Sequence, residues 1–231
     1  MISFFGRLLD LILPRQCSIC GCRLAETEQV LCAVCNLMLP RTGFADDAYD
    51  NEMAQLFWGR LPIERSAALF YYEAQSQVSR MIYELKYRNH PEIGERLGCF
   101  MAEELLPKGF FEGIDMIIPV PLARKRQRQR GYNQSTAIAR GIQSAVSLPL
   151  SEHVLRRNYY HDSQTQKNRW QRADNVEGAF SLCDADTIRD KHLLIVDDVV
   201  TTGATVCACG KELMKSGGVR ISVLSLGYSK T

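Results

Sequence analysis

Residues 193–205, LLIVDDVVTTGAT, join an apolar run, two adjacent carboxylates and a turn rich in hydroxyls with one glycine. Leu193, Leu194, Ile195 and Val196 read as a parallel strand covered on both faces. Asp197 and Asp198 then fall at its carboxyl end, where open α/β sheets bind their ligands. Two neighbouring carboxylates there can accept hydrogen bonds from a vicinal diol and, through water, help hold Mg²⁺. Thr201, Thr202, Gly203, Ala204 and Thr205 follow with hydroxyls, a glycine that lets backbone approach an anion, and the free N–H groups of a helix start. A diol ligand and a monophosphate cradle a few residues apart match a ribose 5-phosphate. Neither a Gly-x-x-x-x-Gly-Lys P-loop nor a Gly-x-Gly-x-x-Gly fingerprint competes for that role.

A second chemical cluster lies near the start. Five of the nine cysteines occur in the first 35 residues. Cys17-x-x-Cys20 and Cys32-x-x-Cys35 form two knuckles that can bring four thiolates to a tetrahedral Zn²⁺. Cys22 can replace Cys20 as a ligand or sit beside it. Four thiolates leave no open position, so the metal is expected to be structural. A disulfide framework is the competing reading, disfavoured because no secretory pattern is visible and the cytosol keeps thiols reduced. Cys99, Cys183, Cys207 and Cys209 show no ligand spacing and read as small buried hydrophobes.

Cations concentrate in two further stretches. Arg124, Lys125, Arg126, Arg128 and Arg130 follow an apolar run ending in Pro119-Val-Pro121-Leu122 and read as a basic loop that suits a polyanion. Residues 156–172, RRNYYHDSQTQKNRWQR, have the composition of a hood able to close over a substrate and exclude water, with Lys167 and Arg169 as candidate lid residues. Interleaved basic and aromatic residues also suit single-stranded nucleic acid, through stacking on Tyr159, Tyr160 or Trp170.

These groups need a scaffold, and the hydrophobic pattern supplies one. Residues 65–73 read as a strand; Val78, Met81, Ile82 and Leu85 mark a helix ending at residues 86–88. Another helix follows Pro91, with Ile93, Leu97, Phe100, Met101 and Leu105 inward. Residues 115–122 give a short buried strand, 131–146 a helix, and 219–226 the last strand after a helix carrying Val206, Leu213 and Met214 inward. Alternating strands and helices predict an α/β fold, an open and mostly parallel sheet with helices on both faces. The polar stretch 42–52 reads as a linker. The expected division is a helix and a four-cysteine zinc module over 1–45, then the α/β domain over 46–231.

Composition sets outer bounds. At 231 residues with 46% hydrophobic content the chain can hold one α/β domain plus a small appendage. A net charge of +2 hides 28 basic and 26 acidic residues, so only local clustering bears on partners. The N-terminal run MISFFGRLLDLILP carries Arg7 and Asp10 and reads as an amphipathic helix packing through Ile2, Phe5, Leu9 and Ile12. No run has spanning length, so a cytoplasmic protein without stable membrane insertion is expected.

The run 193–205 resembles the PRPP-binding signature of type I phosphoribosyltransferases. That resemblance implies PRPP as ligand, with Asp197 and Asp198 on the ribose hydroxyls, residues 201–205 on the 5′-phosphate, and Mg²⁺. It also implies that the basic loop after the first core strand grips pyrophosphate, with Arg124 and Arg130 as candidates. Taken with the CxxC pairs, LKYR (85–88), PVPLARKRQRQRGYNQS (119–135) and QTQKNRWQRADNVEGAF (164–180), the chain resembles the ComF/GntX-like family of competence proteins. The family association implies natural competence, DNA uptake and partners in that process, with single-stranded DNA binding as an alternative role in which PRPP is a sensor ligand. By the same resemblance Lys86 and Tyr87 belong to the functional core. Some purine-salvage relatives carry an acid where Thr201 stands and a lysine where Ala204 stands, so a 6-oxopurine acceptor is disfavoured. The family's usual description as amidophosphoribosyltransferases is in tension with an N-terminus that has a zinc module where a glutaminase domain would be needed.

Overall fold

The computed structural model describes residues 14–87, 90–158 and 178–230. Its elements are α1 (Ala33–Met38), α2 (Glu52–Gln55), β1 (Arg65–Tyr71), α3 (Gln77–Tyr87), α4 (Pro91–Leu105), β2 (Met116–Pro119), α5 (Arg124–Arg130) and α6 (Gln134–Val146). After these come β3 (Leu155–Arg157), β4 (Phe180–Leu182), β5 (His192–Val200), α7 (Ala204–Met214) and β6 (Arg220–Tyr228).

The main sheet has the order β1-β6-β5-β2 and is parallel throughout, as the alternating pattern requires. His192 to Val196 are all buried, and successive strand residues face opposite ways, so β5 is covered on both faces. The strand outruns its predicted length. It continues through both aspartates to Val200, because Asp197 and Val199 still pair with Ser225 and Gly227 of β6. Pro119 ends β2 opposite Val196, and Val120 donates its N–H to the Val196 carbonyl at 2.9 Å. The chain leaving β2 therefore starts beside Asp197.

Helix α6 packs on β5 and β2 and lies against α4. Two glycines set that helix spacing. A Cβ on Gly98 would stand 2.0 Å from the Ile138 carbonyl oxygen, and one on Gly141 would stand 1.9 Å from the Glu95 carbonyl oxygen. Backbones this close leave no room for a methyl group, so the α4–α6 contact fixes where the start of α6 meets the sheet.

Several sequence expectations are corrected. The basic run 124–130 is helical, bounded by Gly131 at φ 82°, and α6 starts only at Gln134 under an Asn133 cap. Residues 42–52 are no loose linker. Phe44 and Ala48 are buried, and Asn51 caps α2 while donating to the Asp47 and Ser66 carbonyls. Met214 lies outward at 38% exposure, Cys183 is exposed and Cys99 only partly covered, whereas Cys207 and Cys209 are buried as expected. The three-residue pair β3–β4 forms a separate antiparallel sheet, too short to show a period. The N-terminal helix, Lys167, Arg169, Tyr159, Tyr160 and Trp170 lie outside the described residues. Among the described residues no helix is long and apolar enough to cross a membrane.

Candidate functional site

Four elements meet at the carboxyl end of β5. Asp197 accepts a hydrogen bond at Oδ1 from Ser135 Oγ at 3.0 Å and another from the Asp198 N–H at 2.8 Å. Asp198 turns the other way, and its Oδ2 pairs with Lys86 Nζ at 3.0 Å. Ser135 comes from the first turn of α6 and Lys86 from the last turn of α3, so two helices fix the two carboxylates in different directions. Burial, and then the neighbouring Asp198 charge, pushes the Asp197 carboxyl up to about 7, against the opposing pull of its hydrogen bonds and Lys86.

The residues between these contacts hold the frame. The Tyr132 hydroxyl donates to the Leu85 carbonyl, tying the start of α6 to the end of α3. Asn133 caps α6 through Oδ1 on the Ser135 N–H and reaches back to the Val120 carbonyl at 3.0 Å. Arg130 donates to Gln134 Oε1 at 2.7 Å and lies over the Tyr87 ring at 5.3 Å. Gln134 is buried, and its Nε2 has no protein partner among the described residues. The LKYR and GYNQS blocks thus converge on one place.

Beyond β5 the turn 201–203 exposes Thr201 and Thr202, with Gly203 at φ +70°, before α7 begins at Ala204. Thr202 Oγ1 accepts weakly from the Ala204 N–H at 3.4 Å. The first N–H groups of α7 have no partner within the helix, and this end of the helix is its positive one. An anion set against this turn meets the free N–H groups of a helix start. The predicted diol carboxylates and anion turn are therefore brought to adjoining stretches of one strand and helix start.

Arg124 opens α5 and Arg130 closes it; Arg130 joins the carboxylate frame through Gln134 and Tyr87. Sequence patterning placed Ser135 in the 119–135 block and Arg157 in the 156–172 stretch but assigned neither of them, nor Lys86, an individual role. Arg157 on β3 stacks on Phe180 at 5.2 Å, and burial, with Arg126 nearby, holds its guanidinium below the usual arginine range, while Asp197 works the other way. The local sequence marks the stretches but not the individual roles, because each residue acts through a contact made in three dimensions.

The sulfurs of Cys17, Cys20, Cys22 and Cys32 all lie within 4.8 Å of one another. Tetrahedral Zn²⁺ with bonds of about 2.3 Å requires sulfur separations of about 3.8 Å, and Cys20 and Cys32 stand 3.8 Å apart. Backbone N–H groups of Cys32 and Cys35 point at Cys17 and Cys32 sulfurs, both at 3.4 Å. N–H donation from Cys22 lowers Cys20, and that from Cys35 lowers Cys32, while neighbouring sulfurs push Cys22 up to about 12. Cys35 is buried beside this group, and burial raises its thiol. Five sulfurs crowd a space that a cation would relieve, and the cluster can hold a metal ion.

Residues 128–226 match the phosphoribosyl transferase domain. A DNA utilization protein YhgH of Escherichia coli O157:H7 is 29% identical over 218 residues, covering 91% of this chain and 88% of that protein. Competence protein F of Haemophilus influenzae is 33% identical over 113 residues, 48% of this chain and 49% of that protein. The chain is thus similar to DNA utilization and competence proteins. Competence protein ComFC of Bacillus subtilis, 27% identical over 152 residues, covers 63% of this chain and 57% of its own length. In this chain the domain match begins within α5, so β1, β2, Lys86 and the cysteine cluster lie before it, although β1 and β2 complete the same sheet.

Proposed function

We propose that this ComF-like protein binds PRPP at the end of β5 and acts as a Mg²⁺-dependent phosphoribosyltransferase in the handling or uptake of DNA. The observation that carries the proposal is the divergent pair Asp197–Ser135 and Asp198–Lys86, set directly before an anion-accepting helix start. Asp197 and Asp198 would hold the ribose hydroxyls, Thr201, Thr202, Gly203, Ala204 and Thr205 the 5′-phosphate, and Arg124 and Arg130 the pyrophosphate. Each carboxylate keeps one oxygen outside these contacts, which fits a hydrated Mg²⁺ reached through water and substrate hydroxyls. When bound, Mg²⁺ would offset the charge of the departing pyrophosphate. The protein's own share is positioning and electrostatics: Ser135 and Lys86 orient the acids, and α5 presents cations toward the leaving group. A structural Zn²⁺ on Cys17, Cys20 and Cys32, completed by Cys35 or Cys22, would brace the N-terminal segment, a module over 1–45 beside the domain over 46–231.

The test follows pyrophosphate release from PRPP across a panel of amines and nucleobases. Release by the wild type and none by Asp197→Asn with Asp198→Asn supports the proposal. Equal release by both would sink it.

A second reading, a non-catalytic single-stranded DNA binder that uses PRPP as a sensor ligand, is favoured by one surface. Tyr83 and Tyr87 are 58% and 59% exposed with ring centroids 4.6 Å apart, and Arg130 of the basic helix stacks on Tyr87. Exposed paired rings beside a cationic helix suit single-stranded bases. Under this reading oligonucleotide affinity falls steeply with salt and falls again in Tyr87→Ala, without any PRPP turnover.

A further inference from the structure

We propose that Arg60, in the turn after α2 and well before the matched domain, is the cationic member of the 5′-phosphate site. The inference rests on the sugar-phosphate reading above and adds a residue to it. Residues 201–205 contain no lysine or arginine. A phosphate dianion lodged there would meet N–H and hydroxyl groups but no neutralising charge from the turn itself.

Arg60 supplies that charge from 142 residues away. Its Nη1 donates to the Thr202 carbonyl at 2.7 Å and to the Leu56 carbonyl at 3.0 Å. The two bonds clamp the phosphate turn to the α2 turn. Among the described residues Nε and Nη2 make no hydrogen bond, and the side chain is exposed. A planar guanidinium held by one nitrogen keeps its other edge for an oxyanion, the bidentate geometry that arginine provides and lysine does not. Holding the Thr202 carbonyl also keeps that oxygen turned to Arg60, so the N–H groups of the same turn stay aimed at the anion.

The same turn sets the path of the backbone. Phe57 is fully buried beneath Gly203, where an added Cβ would stand 3.0 Å from Phe57 Cε1 and 3.6 Å from Leu56 Cβ. Gly203 is also at φ +70°, in the left-handed region that favours glycine. Residues 56–60 thus buttress the phosphate turn with a ring and pin it with a guanidinium. The site then has two cationic elements, Arg60 for the sugar phosphate and α5 for the leaving group.

Calorimetric titration of the wild type, Arg60→Gln and Arg60→Lys with ribose 5-phosphate, PRPP plus Mg²⁺, and pyrophosphate tests the assignment. Arg60→Gln is expected to lose about tenfold to a hundredfold affinity for ribose 5-phosphate and PRPP, the scale of a lost charged hydrogen bond, while pyrophosphate binding changes less than about twofold. Arg60→Lys restores part of the loss, and the melting temperatures of the three proteins stay close. Unchanged ribose 5-phosphate binding in Arg60→Gln, or an equal loss for pyrophosphate, overturns the role of Arg60 and leaves the site reading standing. A wild type that binds neither sugar phosphate overturns both.

Discussion

Asp197→Asn should make the protein more stable at neutral and alkaline pH while removing its ligand. The carboxyl sits at about 7 in the folded chain because burial and then Asp198 disfavour its charge. In the unfolded chain it titrates near 3.9. Between those values the folded state keeps a proton that the unfolded state has lost. Stability from this group is therefore complete below about pH 4 and declines as the pH rises through 7. A difference of about three pH units at about 1.4 kcal/mol each sets a ceiling of about 4 kcal/mol. Because Asp197 is partly open to solvent, about half of that is a sounder expectation. Asparagine removes the charge yet keeps an acceptor for Ser135 and the Asp198 N–H. At pH 8 a gain of about 2 kcal/mol corresponds to a melting temperature about 4–8 °C higher, and at pH 4 the gain should be close to zero. Differential scanning calorimetry at both pH values measures this. Adding PRPP with Mg²⁺ at about 100 times its Kd should stabilise the wild type by about 2.7 kcal/mol and leave the variant unmoved. A variant melting at or below the wild type at pH 8, or gaining equally at both pH values, would refute the electrostatic account of the acid pair.

Other substitutions test separate parts of the structure. Lys86→Met removes a charge that lowers Asp197, so the pH midpoint of PRPP binding should move up; an unmoved midpoint contradicts a role for the ion pair. Gly141→Ala places a methyl group against the Glu95 carbonyl and should cost about 2 kcal/mol or more in urea unfolding, whereas an unchanged midpoint would mean that α4 and α6 can part without loss. Protein prepared without chelators should carry one Zn²⁺ per chain by elemental analysis. Cys17→Ser or Cys32→Ser, each shared by both possible ligand sets, should lose the metal and melt at a lower temperature. Full zinc content in either variant would remove the thiolate site.

The parts of the site carried by local pattern are legible in the sequence. Four consecutive apolar residues before Asp197 announce β5, and Gly203 before an apolar period announces the turn and α7. Helices α3 and α4 are marked by their apolar stripes. The basic helix is harder to see, because Arg124 to Arg130 have no apolar stripe; its end is nonetheless written in Gly131, and the next start in Asn133. Residues 42–52 look like a linker because Phe44, Ala48 and Asn51 are scattered among polar neighbours. Their burial comes from packing on β1 and from one asparagine bonding several backbone groups. Least legible are the contacts of Ser135, Lys86 and Arg60, which exist only where distant segments meet. LKYR and GYNQS flag the neighbourhoods of Lys86 and Ser135, but neither these blocks nor the surroundings of Arg60 carry a period that says what each side chain will face.

Titration of PRPP with Mg²⁺ into the wild type and into Asp197→Asn with Asp198→Asn, followed by calorimetry at about pH 7.5, tests the central claim most directly. The wild type is expected to bind one PRPP per chain, and the double variant, folded and at least as stable, none. Binding that survives in the double variant, or a wild type that releases no heat at any PRPP concentration, would contradict a PRPP site at the end of β5.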